Sequence, residues 1–258
     1  MANGVKLNWR EDGDPAGLPL VFANSLGTDL RLWDQILSLL PSGLRIIRFD
    51  KRGHGLSDCP SAPYAMDDLV SDAEALLDGL GISDCLFVGL SIGGMIGQGL
   101  AARRPDLIRA LVLSNTAAKM GDAAMWQTRI DAILAGGIEA LADAVMERWF
   151  SPAFLARPEL TAWRNMLTRT PAEGYIGCCH AIAGADLSES TNTLTLPTLA
   201  IAGSEDGASP PDLVRGTAEM IAGSRFEVID GAGHLPCVED PAAYAVLLTD
   251  FLKEHAHV

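Results

Sequence analysis

Phe87-Val88-Gly89-Leu90-Ser91-Ile92-Gly93-Gly94 is the stretch from which the fold can be read. An apolar run meets a glycine-flanked serine and then opens into a helical pattern, which is the G-x-S-x-G elbow. A serine hydroxyl is a poor nucleophile at neutral pH, so it must be held beside a base and a pair of N–H donors. A sharp strand-to-helix turn presents it in that way. Side chains at 89 and 93 would collide with such a turn, so glycine is tolerated there where alanine is not. The helix that begins at Ile92 adds its free N–H groups and the positive end of its dipole. The plain alternative is a βα turn in which serine serves as an N-cap.

Outward from the elbow, strands and helices alternate. Cys85 to Leu90 is the strand that carries Ser91, and Gly93 to Arg104 is a helix whose small residues permit close packing on a sheet. Arg109 to Ser114 is the next strand. Upstream lie strands Leu18–Ala23 and Leu44–Asp50 and an amphipathic helix from Asp67 to Leu80, with apolar residues at 69, 70, 73, 76, 77 and 80. Alternation with continuous apolar strands points to a mostly parallel sheet with helices on both faces. At the N-terminal end, Val5 to Trp9 alternates and Glu11-Asp12-Gly13-Asp14-Pro15 reads as a turn, which predicts an opening edge hairpin.

Downstream the pattern changes. From Ala118 to Leu187 only helical segments appear, one of them carrying Ile138, Leu141, Ala142, Val145, Met146 and Trp149 on a single face. Ser151-Pro152 and Thr170-Pro171-Ala172-Glu173 read as helix starts, the second as a capping box. The division expected is a core of residues 1–117 and 188–258 with a helical cap at 118–187 over the site. Strand Leu196–Ala202, a helix from Ser209, strand Arg225–Ile229 and a helix over Asp240–Glu254 complete the core.

The elbow needs a base and an orienting acid, in the order Ser, Asp or Glu, His. Gly203-Ser204-Glu205-Asp206-Gly207 follows one resumed strand and Asp230-Gly231-Ala232-Gly233-His234-Leu235-Pro236 the next. His234 is the expected base. Of the other four histidines, His255 and His257 lie in the C-terminal tail, His180 in a cap helix and His54 in an Arg-Gly-His-Gly turn. Glu205 competes with Asp206 for the acid; the position before Gly207 favours Asp206, and Asp230 belongs to the turn leading to His234. The backbone N–H groups of Leu26 and Ile92 are the expected oxyanion donors.

Composition narrows the function further. Thirty-three acids against nineteen Lys and Arg give a formal charge of −14, which repels nucleic-acid phosphates and anionic membranes. No leader pattern opens the chain and no run of about 18 apolar residues occurs, so a soluble cytoplasmic protein with no membrane partner is expected. Five cysteines, Cys59, Cys85, Cys178, Cys179 and Cys237, are an odd count without C-x-x-C spacing and read as reduced thiols. No ligand spacing implies a metal, and no Gly-x-Gly-x-x-Gly after a first strand implies a cofactor.

These residues resemble the α/β-hydrolase superfamily over the whole chain, so the resemblance implies the α/β-hydrolase fold. Asn24-Ser25-Leu26-Gly27 stands where many members have a His-Gly pair. That stretch, with Gly-Leu-Ser-Ile-Gly-Gly, Ser114-Asn-Thr-Ala-Ala-Lys119, Arg148-Trp149-Phe150 and Gly174-Tyr-Ile-Gly-Cys-Cys-His-Ala-Ile-Ala-Gly-Ala-Asp186, resembles the 3-oxoadipate enol-lactonases of aromatic catabolism. The resemblance implies hydrolysis of a small anionic lactone to 3-oxoadipate. Its carboxylate calls for a local cation, because charge beyond about 8 Å is screened. Trp126 and Arg129, three apart on one helix face, are candidates, with Arg148 and Lys119 as alternatives and Ser25 as a further pocket residue. A solvated face is the competing account of the cap arginines, and cap core that of Trp126 and Trp149. Ser91 argues against dehalogenase or epoxide-hydrolase chemistry, which resembles use of an aspartate at the elbow. A carboxylesterase, a carbon–carbon bond hydrolase or a non-catalytic receptor remain the alternatives.

Overall fold

The computed structural model describes residues 3–256. In chain order its elements are β1 (Trp9–Gly13), β2 (Leu18–Ala23), a 3-10 turn at Leu30–Trp33, α1 (Asp34–Leu37), β3 (Leu44–Phe49), α2 (Met66–Gly79), β4 (Cys85–Leu90), α3 (Ile92–Arg103) and β5 (Ile108–Ser114). Six helices then follow without an intervening strand: α4 (Ala123–Gly136), α5 (Ala142–Trp149), α6 (Pro152–Leu155), α7 (Leu160–Thr168), α8 (Ala172–Ala183) and α9 (Ser188–Thr191). β6 (Thr198–Gly203), α10 (Pro211–Ala218), β7 (Arg225–Ile229), α11 (Pro236–Glu239) and α12 (Pro241–Ala256) close the chain. No described helix is long and apolar enough to cross a membrane.

The seven strands form one sheet in the order β1-β3-β2-β4-β5-β6-β7, parallel except for β1. Every residue of β4 and β6 is buried, which requires cover on both faces. β2 and β4 lie side by side with Ala23 opposite Gly89. Connections from β2 and from β4 leave in opposite directions along the sheet, so the crevice at their C-terminal ends is a topological switch point, where open α/β sheets bind ligands. The loop Asn24–Asp29 and the elbow therefore face each other.

The predicted opening hairpin does not form. The first strand begins at Trp9, includes Glu11 to Gly13, and pairs antiparallel with β3 instead of β2. Charge accounts for the partner: Arg45 and Arg48 of β3 meet Glu11 and Asp12 at 2.9 and 2.7 Å. That leaves the apolar β2 paired on both edges in the interior. The capping box at Thr170 is also absent. The Thr170 hydroxyl donates to the Met166 carbonyl, and the Glu173 carboxylate instead accepts from the Ala62 N–H at 2.7 Å. Ser151 does cap α6, accepting from the Phe154 N–H, with Pro152 at its first position. The apolar face over 138–149 is divided between a 3-10 turn (Ile138–Leu141) and α5, and all of it is buried but for half-buried Leu141.

Candidate active site

The elbow puts Ser91 at φ 58° and ψ −121°, a backbone region that costs a non-glycine residue roughly 1–3 kcal/mol. A hydrogen bond from its N–H to the Ser114 carbonyl at 2.9 Å, and one from the Thr116 hydroxyl to its own carbonyl at 2.6 Å, hold the turn. The flanking glycines act as the steric argument requires. A Cβ on Gly89 would lie 2.2 Å from the Gly93 carbonyl oxygen, and one on Gly93 would lie 2.1 Å from that of Ala23. The second clash is with β2, so glycine at 93 also lets α3 approach the neighbouring strand.

Asp206 follows β6 and His234 follows β7, each at the strand end that β4 presents Ser91 from. The His234 Nδ1 lies 2.8 Å from Asp206 Oδ2, and both side chains are buried. The remaining lone pairs of the carboxylate are occupied: Asn115 Nδ2 donates to Oδ2 at 2.9 Å, and the N–H groups of Ala208 and Ser209 donate to Oδ1 at 2.7 and 2.9 Å. Burial alone would raise this carboxyl, but His234, Asn115 and the Ser209 N–H outweigh it and hold it below the ordinary carboxylate value. Glu205 and Asp230, the rival acids, point to solvent. Of the rival histidines, His54 is buried elsewhere, His180 is half-buried on α8, His255 packs on Phe251, and His257 lies outside the described residues.

A cavity of about 200 Å³ opens between these strand ends and the helices after β5. Ser25, Leu26, Ser91, Trp126, Arg129, Arg148 and His234 line it, so seven of the ten residues expected from sequence converge there. Asp206 stands behind His234, and Ile92 is buried at the head of α3. Among the described residues neither the Leu26 nor the Ile92 N–H meets a protein acceptor.

Two guanidinium groups enter the cavity. Arg129 lies 5.1 Å over the Trp126 ring and reaches the Tyr175 hydroxyl at 3.3 Å, while Trp126 is anchored through its own N–H to the Met120 carbonyl at 2.6 Å. Arg148 has no acidic partner among the described residues, and its buried Nε meets no acceptor. Burial first, then the charge of Arg129, holds Arg148 below its usual value. The buried Ser25 hydroxyl is likewise unpartnered. Lys119, by contrast, is exposed, pairs with Asp186 at 3.0 Å and does not line the cavity.

Trp149, which the apolar periodicity assigns to cap core, forms part of the wall, as does Tyr175. Asn115 escapes sequence reasoning as an Asp206 partner; its signal is its place directly after β5. No local signal in the sequence connects His54 or Lys51 with the site either. The His54 ring accepts from the Gly27 N–H at 3.0 Å, which ties the Asp50–Gly55 turn to the loop bearing Leu26. Burial, then Lys51, keeps His54 well below the ordinary histidine value and therefore neutral. Cys178 and Cys179 are buried, their thiols pushed up to about 12 by burial, and no metal-ligand cluster occurs among the described residues.

An elbow serine at the centre of a sheet in this strand order defines the α/β-hydrolase class, and the chain belongs to that family, whose profile matches residues 19–241. Within it, the chain is 37% identical over 245 residues to 3-oxoadipate enol-lactonase 2 of Acinetobacter baylyi, covering 94% of this chain and 91% of that one. It is 33% identical to 3-oxoadipate enol-lactonase 1 of the same organism, over 97% and 94% of the two chains. The crystal structure of the enol-lactonase from Burkholderia xenovorans superposes with a TM-score of 0.94 at 38% identity, covering 98% of each chain.

Proposed function

We propose that the protein hydrolyses 3-oxoadipate enol-lactone to 3-oxoadipate with Ser91 as nucleophile, His234 as base and Asp206 as the orienting acid. The Ser91 oxygen attacks the lactone carbonyl as its proton passes to His234 Nε2, and the N–H groups of Leu26 and Ile92 receive the oxyanion. Collapse breaks the bond to the ring oxygen. His234 returns the proton to the departing enolate, and the enol becomes a ketone, which disfavours reversal. Water then gives a proton to His234 and its hydroxyl to the acyl carbon, and Ser91 regains its proton as the acid leaves. The helices over residues 118–187 act as the cap that closes this site.

The observation that carries the reading is the convergence on one cavity of Ser91, His234 and two arginines that have no acidic partner among the described residues. At about 200 Å³ it is smaller than the ~300–1,000 Å³ of drug-sized sites, which suits a small ring better than a long acyl chain. Paired guanidiniums favour an anionic substrate over the neutral one of a simple carboxylesterase. The relatives named above add the particular lactone. The test is loss of ultraviolet absorbance of enol-lactone generated in situ, with Ser91→Ala as control. Serine-dependent loss with kcat/KM above about 10⁴ M⁻¹s⁻¹ supports the assignment. A wild type that matched the control while cleaving an aryl ester would keep the triad and remove the lactone.

A further inference from the structure

The loop Asn24–Thr28 that carries Leu26 belongs to neither sheet nor helix, yet it is buried throughout. Its carbonyls turn inward. Three of them, on Asn24, Ser25 and Thr28, point at one atom, the Lys51 ammonium nitrogen, at 3.4, 2.6 and 3.3 Å. Lys51 is 3% exposed, and no described carboxylate comes within ion-pair distance of it. A buried ammonium surrounded by backbone oxygens is an expensive way to fill space, because an apolar side chain would avoid desolvating the charge. It does have one property an apolar residue lacks. Three donors on one compact centre can draw three carbonyls of a tight loop toward a single point.

We propose that Lys51 is a positioning residue for the oxyanion loop: its ammonium gathers the carbonyls of Asn24, Ser25 and Thr28 and so aims the Leu26 N–H at the Ser91 acyl centre. This rests on the reading of Leu26 as an oxyanion donor. Gly27 is held through its N–H bond to His54, three residues further along the turn that carries Lys51, and the Thr28 hydroxyl donates to the Ser25 carbonyl at 2.9 Å, so the loop is gripped along its length. The groups that face Lys51 are Cys178 from α8, Asp29 at the start of the 3-10 turn, Asp50 beside it, and neutral His54. Asp29 is engaged by Arg31, and Asp50 by Leu30, Asn8 and Leu56, so neither neutralises the ammonium directly. Burial pulls Lys51 down to about 8, against which Cys178, Asp50 and Asp29 act. Above that pH the amine keeps two hydrogens for three carbonyls, and the loop slackens.

Wild type, Lys51→Met and Ser91→Ala are compared on phenyl acetate, which has no charge for the cavity arginines to bind, and with an aryl trifluoromethyl ketone, whose adduct with serine places an oxyanion in the hole. Lys51→Met is expected to lose about 10- to 100-fold in kcat, less than the ~10²–10³ of deleting a donor outright, with KM nearly unchanged. Affinity for the ketone should fall by the same factor, and wild-type kcat should decline above a pH of about 8 while the variant stays flat. Wild-type kcat and ketone affinity in Lys51→Met would overturn the proposal. If the variant does not fold, the wild-type profile decides alone, and no decline between pH about 8 and about 10 overturns it. Equal binding of the ketone by wild type and Ser91→Ala is a different failure, that of the active-site reading itself.

Discussion

The backbone N–H of His234 donates to the Trp149 carbonyl at 2.7 Å, which fastens the loop of the expected base to the end of α5. Three further bonds reinforce the same seam. The Gly207 N–H, beside Asp206, donates to the Arg148 carbonyl at 3.2 Å, and the Glu239 carboxylate accepts from the Gly233 N–H at 2.7 Å and from the Ser151 hydroxyl at 2.5 Å. The helical segment that supplies Arg148 and Trp149 to the cavity wall is thus also bonded to the loops of Asp206 and His234.

Glu239 gives this seam a pH signature. Burial raises its carboxyl above the ordinary 4.5, against the Ser151 and Gly233 donors that favour the charge. A raised acid contributes stability that is complete below 4.5 and is lost as pH rises through the folded value, since the unfolded chain then holds fewer protons. Glu239→Gln, permanently neutral, should therefore equal or exceed wild type near neutral pH, with the gap closing on acidification toward 4.5. Urea titrations across that range check it; a gap that widened on acidification would contradict the sign.

Asp206 depends on Asn115 as well as on His234. Asn115 holds a left-handed backbone at φ 48°, so Asn115→Gly removes the side chain without backbone strain. The loss of one charge-assisted bond should cost about 1.5–3 kcal/mol of stability and lower kcat roughly tenfold. Asp206→Asn should be far more severe, about 10³–10⁴ in kcat, because the imidazole loses its tautomer. Comparing the two by kcat and by thermal unfolding separates orientation of the histidine from general loosening.

The arginines should act on binding of charge and little else. Arg129→Met or Arg148→Met is expected to raise KM for the anionic lactone roughly 10- to 100-fold, the worth of a charge-assisted hydrogen bond. KM for phenyl acetate should hardly move. Equal effects on both substrates would mean that the guanidiniums support the cavity wall instead of binding a carboxylate.

The elbow glycines test the fold itself. Gly89→Ala and Gly93→Ala each bring a Cβ within 2.2 Å of a carbonyl oxygen that regular backbone geometry does not let move. Each should destabilise by about 1–3 kcal/mol and abolish labelling of Ser91 by an organophosphonate, read by thermal unfolding and intact mass. Undiminished labelling would mean that the turn has room the clash denies.

Local signals and long-range ones part cleanly in this chain. Apolar continuity marked β2, β4 and β6, because strands buried on both faces need unbroken hydrophobic runs. The steric demand of a serine on a sharp turn made Gly89-Leu90-Ser91-Ile92-Gly93 legible, and punctuation after β6 and β7 pointed to Asp206 and His234. Where sequence reasoning failed, the partner was distant: β1 pairs with β3 because Arg45 and Arg48 meet Glu11 and Asp12, and Glu173 serves Ala62 instead of its own helix. The alternation, the elbow and the placing of Asp206 and His234 after successive strands were legible in the sequence, since each rests on backbone geometry and hydrophobicity within a few residues. Packing alone settles which cations share the cavity, that Trp149 and Tyr175 wall it, and that Asn115 bonds Asp206, Glu239 bonds the Gly233 N–H and Lys51 meets the carbonyls of the Asn24–Thr28 loop. Those choices depend on which buried polar atoms find partners once segments tens of residues apart are packed together, and a buried donor or acceptor cannot be left unsatisfied without cost.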